Sequence, residues 1–272
     1  MRLLFIGDVV GRPGRDIIRK KLSELIDSQR LDLVIANAEN AAGGSGFTPA
    51  IYKELSRAGV DGFTLGDHVY RRREIYPLLD NEDNIVRPAN LPTEAVGREW
   101  AVATARDGTR VGFCCLLGQL FMKSADNPWR VADRVLAAMP SDVCVRMVDF
   151  HVEATSEAQL LGRYLDGRVA AVLGTHTHVP TADECVLPGG TAFQCDVGMT
   201  GPYESILGRR IDRVLQSKLT GMPTQFDVAD GDARLCGSIV EIDSETGKAA
   251  SIVRVCVRES DGAAANSSSE TC

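Results

Sequence analysis

The sequence predicts an α/β fold with mixed sheets, parallel where the chain begins and antiparallel towards its end. Three observations carry this. Short apolar runs alternate with longer amphipathic stretches over roughly the first 65 residues, a strand–helix–strand rhythm that implies parallel strands joined by helical crossovers. Asp107-Gly108 lies between two apolar runs, as in a tight hairpin where glycine accepts positive φ. The last two apolar runs, Ala233–Ile242 and Ala250–Arg258, flank the polar segment Ser244–Gly247, which reads as another hairpin.

Taken in order, Leu3–Ile6 reads as a buried strand, Gly14–Ser28 as a helix, Leu33–Ala36 as a strand, Thr48–Ala58 as a helix and Gly62–Leu65 as a strand. Trp100–Thr104 and Val111–Leu117 form the first hairpin. Val131–Met139 and Ser156–Leu165 are helical in pattern, with Val143–Val148 and Val169–Leu173 as further buried strands. Gly189-Gly190 separates short strands at Cys185–Leu187 and Thr191–Gln194, and Pro202 opens an expected helix to Leu219. The small, polar end, residues 259–272, is expected to be a disordered tail. The remaining residues, 1–258, are expected to form a single domain.

The chain has 272 residues and a formal charge of −7, which argues against a broad basic surface for duplex nucleic acid. The apolar N-terminal run is too short for a secretory signal or a membrane span, so a cytoplasmic protein without membrane attachment is expected. Eight cysteines are scattered without a Cys-x-x-Cys spacing. Cys114, Cys115, Cys144, Cys236 and Cys256 sit in apolar runs and are expected to be small core residues.

The chemistry gathers at strand ends. The four histidines, His68, His151, His176 and His178, all follow expected strands, as do Asp8, Glu39-Asn40 and Asp67. In open α/β sheets the crevice beyond the carboxyl ends of strands is where ligands bind, so five sequence-distant segments can converge. Taken singly, Asp8 is more readily a turn or cap residue, and Glu39-Asn40 a polar pair before a glycine-rich loop. His176-x-His178 is stronger, because alternate residues of extended chain face one side. A mixed carboxylate, amide and imidazole set suits Mn, Fe, Zn or Ni better than Ca or Mg. The stretch Gly7–Gly14 lacks both the P-loop ending and the dinucleotide glycine spacing.

The segments FIGDVVGRPGRD, VIANAENAAGG, LGDHVYRRREI, VRPANLP, VDFHVEATSE, LDGRVAAVLGTHTHVPTADE and DVGMTGP, spread over most of residues 1–205, resemble the calcineurin-like metallophosphoesterases and, within them, the YmdB-like branch. The resemblance implies a four-layered α/β/β/α metallophosphoesterase sandwich with mixed sheets. It further implies two transition-metal ions, Fe and/or Mn with Zn as another fit, and hydrolysis of small phosphodiesters such as 2′,3′-cyclic nucleotides by a metal-activated hydroxide. Carried over, Asp8, Glu39, Asn40 and His178 would hold one metal, Glu39, Asp67, His151 and His176 the other, and His68 would be the catalytic residue beside the phosphate. A homo-oligomer is also implied. The chain departs from the family at Asp67, where Asn is usual, and at Arg71, where an acidic residue is usual. Gly43 and Gln119-Leu120 likewise replace a histidine and an Arg-Thr pair. These departures motivate the alternative of a metal- or nucleotide-binding regulatory protein with little turnover.

Overall fold

The computed structural model describes residues 1–261. The elements in chain order are β1 (Arg2–Ile6), α1 (Gly11–Gln29), β2 (Leu33–Asn37), α2 (Pro49–Arg57), β3 (Gly62–Thr64), α3 (Tyr76–Asn81), β4 (Ile85–Val86), β5 (Trp100–Thr104) and β6 (Arg110–Leu117). There follow α4 (Pro128–Ala138), β7 (Val145–His151), α5 (Thr155–Leu165), β8 (Ala171–Thr175), β9 (Cys185–Val186), β10 (Ala192–Gln194), β11 (Gly201–Pro202), α6 (Ile211–Thr220), β12 (Ala233–Asp243) and β13 (Lys248–Arg258).

Two mixed sheets result. One has the order β11-β12-β1-β2-β3-β4 with β13 also on β12; the other has the order β5-β6-β7-β8-β10-β9. Because side chains alternate across a strand, each sheet has two apolar faces to bury. Leu3, Phe5, Leu33 and Ile35 meet Val111, Phe113, Val145 and Leu173 between the sheets. Leu4, Ile6, Val34 and Ala36 pack outward on Ile17, Ile18 and Leu22 of α1 and on Leu55 of α2. Cys114, Leu116, Val148 and Phe150 pack outward on α4 and α5 through Val131, Val135, Leu161 and Leu165. The four layers expected from the resemblance are therefore present.

Some boundaries differ from the expectation. α1 starts at Gly11 rather than Gly14, because Pro13 is tolerated in a first turn whose N–H groups have no helical partner. The helix expected from Pro202 is only Ile211–Thr220. Pro202 lies instead in β11 opposite Ala233, and Leu207 and Gly208 have φ of 51° and 88°, which interrupt any helix. Cys144 and Cys256 are exposed, whereas Cys114, Cys115 and Cys236 are buried as expected. Of the expected tail, residues 259–261 are tied to α1 by Lys20 Nζ, 2.5 Å from Glu259 Oε1, and Lys21 Nζ, 2.6 Å from the Asp261 carbonyl. Residues 262–272 lie outside the described residues. No described helix is long and apolar enough to cross a membrane.

Candidate metal centre

The carboxyl ends of β1, β2, β3, β7 and β8 open into one crevice, and all seven residues expected as metal ligands meet there with His68. Asp8, Glu39, Asn40 and His151 are buried, while Asp67, His68, His176 and His178 are half-buried. Glu39 is central: its Oε1 lies 3.3 Å from His151 Nε2 and 3.3 Å from His68 Nδ1, and its Oε2 accepts the His68 backbone N–H at 2.8 Å. His151 Nε2 is also 3.5 Å from Asp67 Oδ1 and 3.1 Å from His176 Nδ1. On the other side, His178 Nε2 lies 3.8 Å from Asp8 Oδ1 and 3.2 Å from the Asn40 amide nitrogen. Gly66 makes this approach feasible, since a Cβ there would collide with His151 Nε2 and lie 2.5 Å from Glu39 Oε2.

The histidine pair does not use extended chain. His176 and His178 have φ of 107° and 65°, a conformation that costs non-glycine residues energy and that clusters at functional sites. It is held by neighbours. Asp8 Oδ2 accepts the His176 N–H at 3.0 Å, while the buried Asp196 accepts the Thr177 N–H and hydroxyl, both at 2.8 Å.

Outer partners orient the rings. The Thr175 hydroxyl donates to Asp149 Oδ1 at 2.7 Å and so accepts from His151 Nδ1 at 2.9 Å. Asp149 Oδ2 is in turn satisfied by Thr64 Oγ1 at 2.5 Å and Asn37 Nδ2 at 3.0 Å. This keeps a proton on His151 Nδ1 and aims Nε2 at the centre. His178 Nδ1 likewise donates to the Leu207 carbonyl at 3.1 Å, leaving Nε2 to face inward.

The centre leaves carboxylate oxygens without hydrogen-bond donors. Asp8 Oδ1 and Asp67 Oδ1 are buried with no hydrogen-bond partner, although buried carboxylates ordinarily have one. Burial, with the Glu39 charge adding to it and His151 opposing, pushes the Asp8 carboxyl up to about 7. His151 is pushed well above the usual histidine range: burial works against its charge, but Glu39 and Asp67 outweigh it. Burial drives His176 the other way, down to about 4, helped by the neighbouring His151. Three triplets, Asp67-His151-His176, Asp8-Glu39-His151 and Glu39-Asp67-His68, bring ligand atoms within 4.8 Å of one another. Convergent carboxylate oxygens and imidazole nitrogens at these distances are a donor set suited to a metal ion.

The chain matches the model of the family described as "YmdB-like protein" over residues 4–255. The chain belongs to the YmdB-like family. It is 42% identical over 259 residues to the "2′,3′-cyclic-nucleotide 2′-phosphodiesterase" of Bacillus subtilis, covering 95% of this chain and 98% of that one. It is 33% identical over 268 residues to a "putative phosphatase/phosphodiesterase" of Mycoplasma pneumoniae, covering 96% and 94% of the two chains. Among solved structures it superposes on a hypothetical protein from Thermus thermophilus, with TM-score 0.89, 42% identity and coverage of 95% and 100%. A Mycoplasma pneumoniae protein described as a novel phosphatase superposes with TM-score 0.88, 32% identity and coverage of 95% and 93%. This YmdB-like chain is thus a hydrolase of the metallophosphoesterase fold.

Several site residues were not anticipated. Asp149, Thr175, Asn37, Thr64 and Asp196 lie inside or just after strands, where a polar residue in an apolar run is the only signal. Lys123 comes from an exposed loop and places Nζ 3.0 Å from Asp67 Oδ2, also donating to the Asp67 carbonyl. Arg71, by contrast, donates its backbone N–H to the His68 carbonyl at 3.0 Å, and the residue is exposed.

Proposed function

We propose that this chain hydrolyses small phosphodiesters, such as 2′,3′-cyclic nucleotides, at a dinuclear Fe and/or Mn centre. The observation that carries the reading is the pair of unpartnered buried carboxylate oxygens, Asp8 Oδ1 and Asp67 Oδ1, each in a ligand triplet with Glu39. Asp8, Glu39, Asn40 and His178 would hold one ion, and Glu39, Asp67, His151 and His176 the other, with Glu39 common to both. Asn40 would offer Oδ1 after a half-turn of an amide whose two ends are nearly equal in size.

Two such ions supply a water nucleophile at neutral pH and charge to stabilise the phosphoryl oxygens. The remaining work falls to the protein. Asp149 and Thr175 keep the proton on His151 Nδ1, so that Nε2 stays a donor of electrons. Leu207 does the same for His178. His68 stands at the rim with its side chain 26% exposed, where its imidazole would be open to a substrate phosphate; with Asn40 turned, His68 Nδ1 would accept from the amide nitrogen instead of donating to Oδ1. There it would neutralise phosphate charge or protonate the leaving oxygen.

The name borne by the Bacillus subtilis relative supports the phosphodiester reading. The test is hydrolysis of bis-p-nitrophenyl phosphate and 2′,3′-cyclic AMP by Mn- or Fe-loaded protein, alongside His68→Asn. Turnover lost in the variant with metal content unchanged supports the assignment. A loaded wild-type protein that cleaves neither ester counts against it and favours a regulatory role.

A further inference from the structure

β12 and β13 bring two cysteines together far from the histidines. Cys236 and Cys256 are direct partners in the antiparallel register. The backbone of Cys236 points away from β13: its N–H donates to Thr200 Oγ1 at 3.0 Å, and its carbonyl accepts from Gly7 N at 3.0 Å and Thr200 Oγ1 at 2.9 Å. A strand residue sends its N–H and C=O to the same side, so Cys236 and Cys256 form a non-hydrogen-bonded pair, whose Cα atoms typically stand about 4.5 Å apart. That spacing is at the short end of the roughly 4.4–6.8 Å that disulfides span. A bridge can close without moving the strands.

The two thiols are unequal. Cys236 is 2% exposed, with its sulfur 3.1 Å from the Tyr203 hydroxyl. Cys256 is exposed. Arg234 and Arg258 pair with each other two residues along the same strands, and so share the face of the cysteines. The Arg234 guanidinium lies 4.4 Å from the centre of the Tyr203 ring. A hydrogen bond from Cys236, aided by the charges of Arg234 and Arg258 and opposed by burial, holds the Cys256 thiol down to about 6. That same hydrogen bond, together with burial, drives Cys236 well above the ordinary thiol range. An exposed thiolate thus sits beside a buried thiol, an arrangement suited to attack followed by resolution.

We propose that Cys236 and Cys256 form a reversible thiol–disulfide site that reacts with low-molecular-weight disulfides. The Cys256 thiolate attacks one sulfur of the small disulfide, whose S–S bond breaks to release one thiolate and leave a mixed disulfide on Cys256. The Cys236 thiol then passes its proton to that released thiolate, and its sulfur attacks Cys256. The second small thiolate leaves as the protein disulfide closes. Two protein thiols are oxidised and one small disulfide is reduced to two thiols. The backbone hydrogen bonds of Cys236 persist throughout, because they face β1 and Thr200.

The test uses full-length, pre-reduced protein incubated with glutathione disulfide, blocked with iodoacetamide and mapped by mass spectrometry of unreduced peptides. Peptide mapping also separates Cys272, which lies outside the described residues. The expected result is a Cys236–Cys256 linked peptide that dithiothreitol reverses and that forms faster than adducts at exposed Cys144 or Cys185. Cys236→Ser, or Cys236→Ala should the serine variant not fold, accumulates glutathione on Cys256. Cys256→Ser leaves Cys236 unmodified. The proposal is overturned if Cys236 and Cys256 are both recovered alkylated while Cys144 or Cys185 carries glutathione, or if the wild type retains glutathione on Cys256 without closing the bridge.

Discussion

Replacing Thr175 by Val tests whether the buried relay behind His151 matters to the metal site. The substitution keeps shape and removes one hydroxyl, on which three fully buried groups depend: His151 Nδ1 at 2.9 Å, Asp149 Oδ1 at 2.7 Å and Asn37 Nδ2 at 3.4 Å. Asn37 keeps its bond to Asp149 Oδ2, so the loss falls on the other two. Each buried group left without a partner costs about 1–3 kcal/mol, giving a loss of folding stability of roughly 2–6 kcal/mol. The imidazole also loses the acceptor that fixes its tautomer, and loss of such outer partners weakens metal binding or activity by about 10–100-fold. Urea unfolding of metal-free protein reads the first effect, and Mn titration of the folded variant reads the second. Thr175→Ser, which restores the hydroxyl, should recover most of both. A Val variant as stable as wild type, binding Mn with unchanged affinity, would refute the relay.

Other outcomes follow from the same geometry. His178→Ala should lose the ion beside Asp8 and more than about 100-fold in turnover, a larger cost than that of an outer partner; elemental analysis and ester hydrolysis check this. Lys123→Gln removes a half-exposed ion pair worth less than about 1 kcal/mol to folding. It also removes a cation beside the Asp67 carboxylate, so Mn should bind roughly fivefold more tightly, the effect of about 1 kcal/mol of Coulomb repulsion in a water-like dielectric. Metal-free protein should lose stability as pH rises towards about 7. Asp8 and Asp196, both pushed up to about 7 chiefly by burial, hold protons in the folded state that the unfolded chain has already lost above its usual carboxylate value. Stability then falls with pH as both ionise, and His151, held protonated well above the usual histidine range, carries the fall further. Lowered His176 opposes this between about 4 and its ordinary 6.5, so the fall is clearest above 6.5. Melting temperatures across pH 6–8 with chelator present check the sign, and metal should abolish the slope.

Much of this was legible in the sequence because strand ends are local. Asp8, Glu39, Asp67 and His151 each stand at or just after an apolar run, and the rule that sites open beyond carboxyl ends of strands brings them together without further information. The relay behind them was not legible, since Thr64, Asp149 and Thr175 acquire meaning only from strand order: β7 must lie beside β8 for Thr175 to reach both Asp149 and His151. The short elements β4 and β11 carry too few residues for periodicity to register. Cys256 was misread because its run alternates: Val255 and Val257 point into the core, which turns the cysteine between them outward.

The central claim is that this cluster holds two metal ions, and anomalous diffraction from Mn-soaked crystals tests it most directly. The expected result is two anomalous peaks, one bounded by Asp8, Glu39, Asn40 and His178, the other by Glu39, Asp67, His151 and His176. No peak in the crevice, or ordered Mn bound only elsewhere, would contradict it.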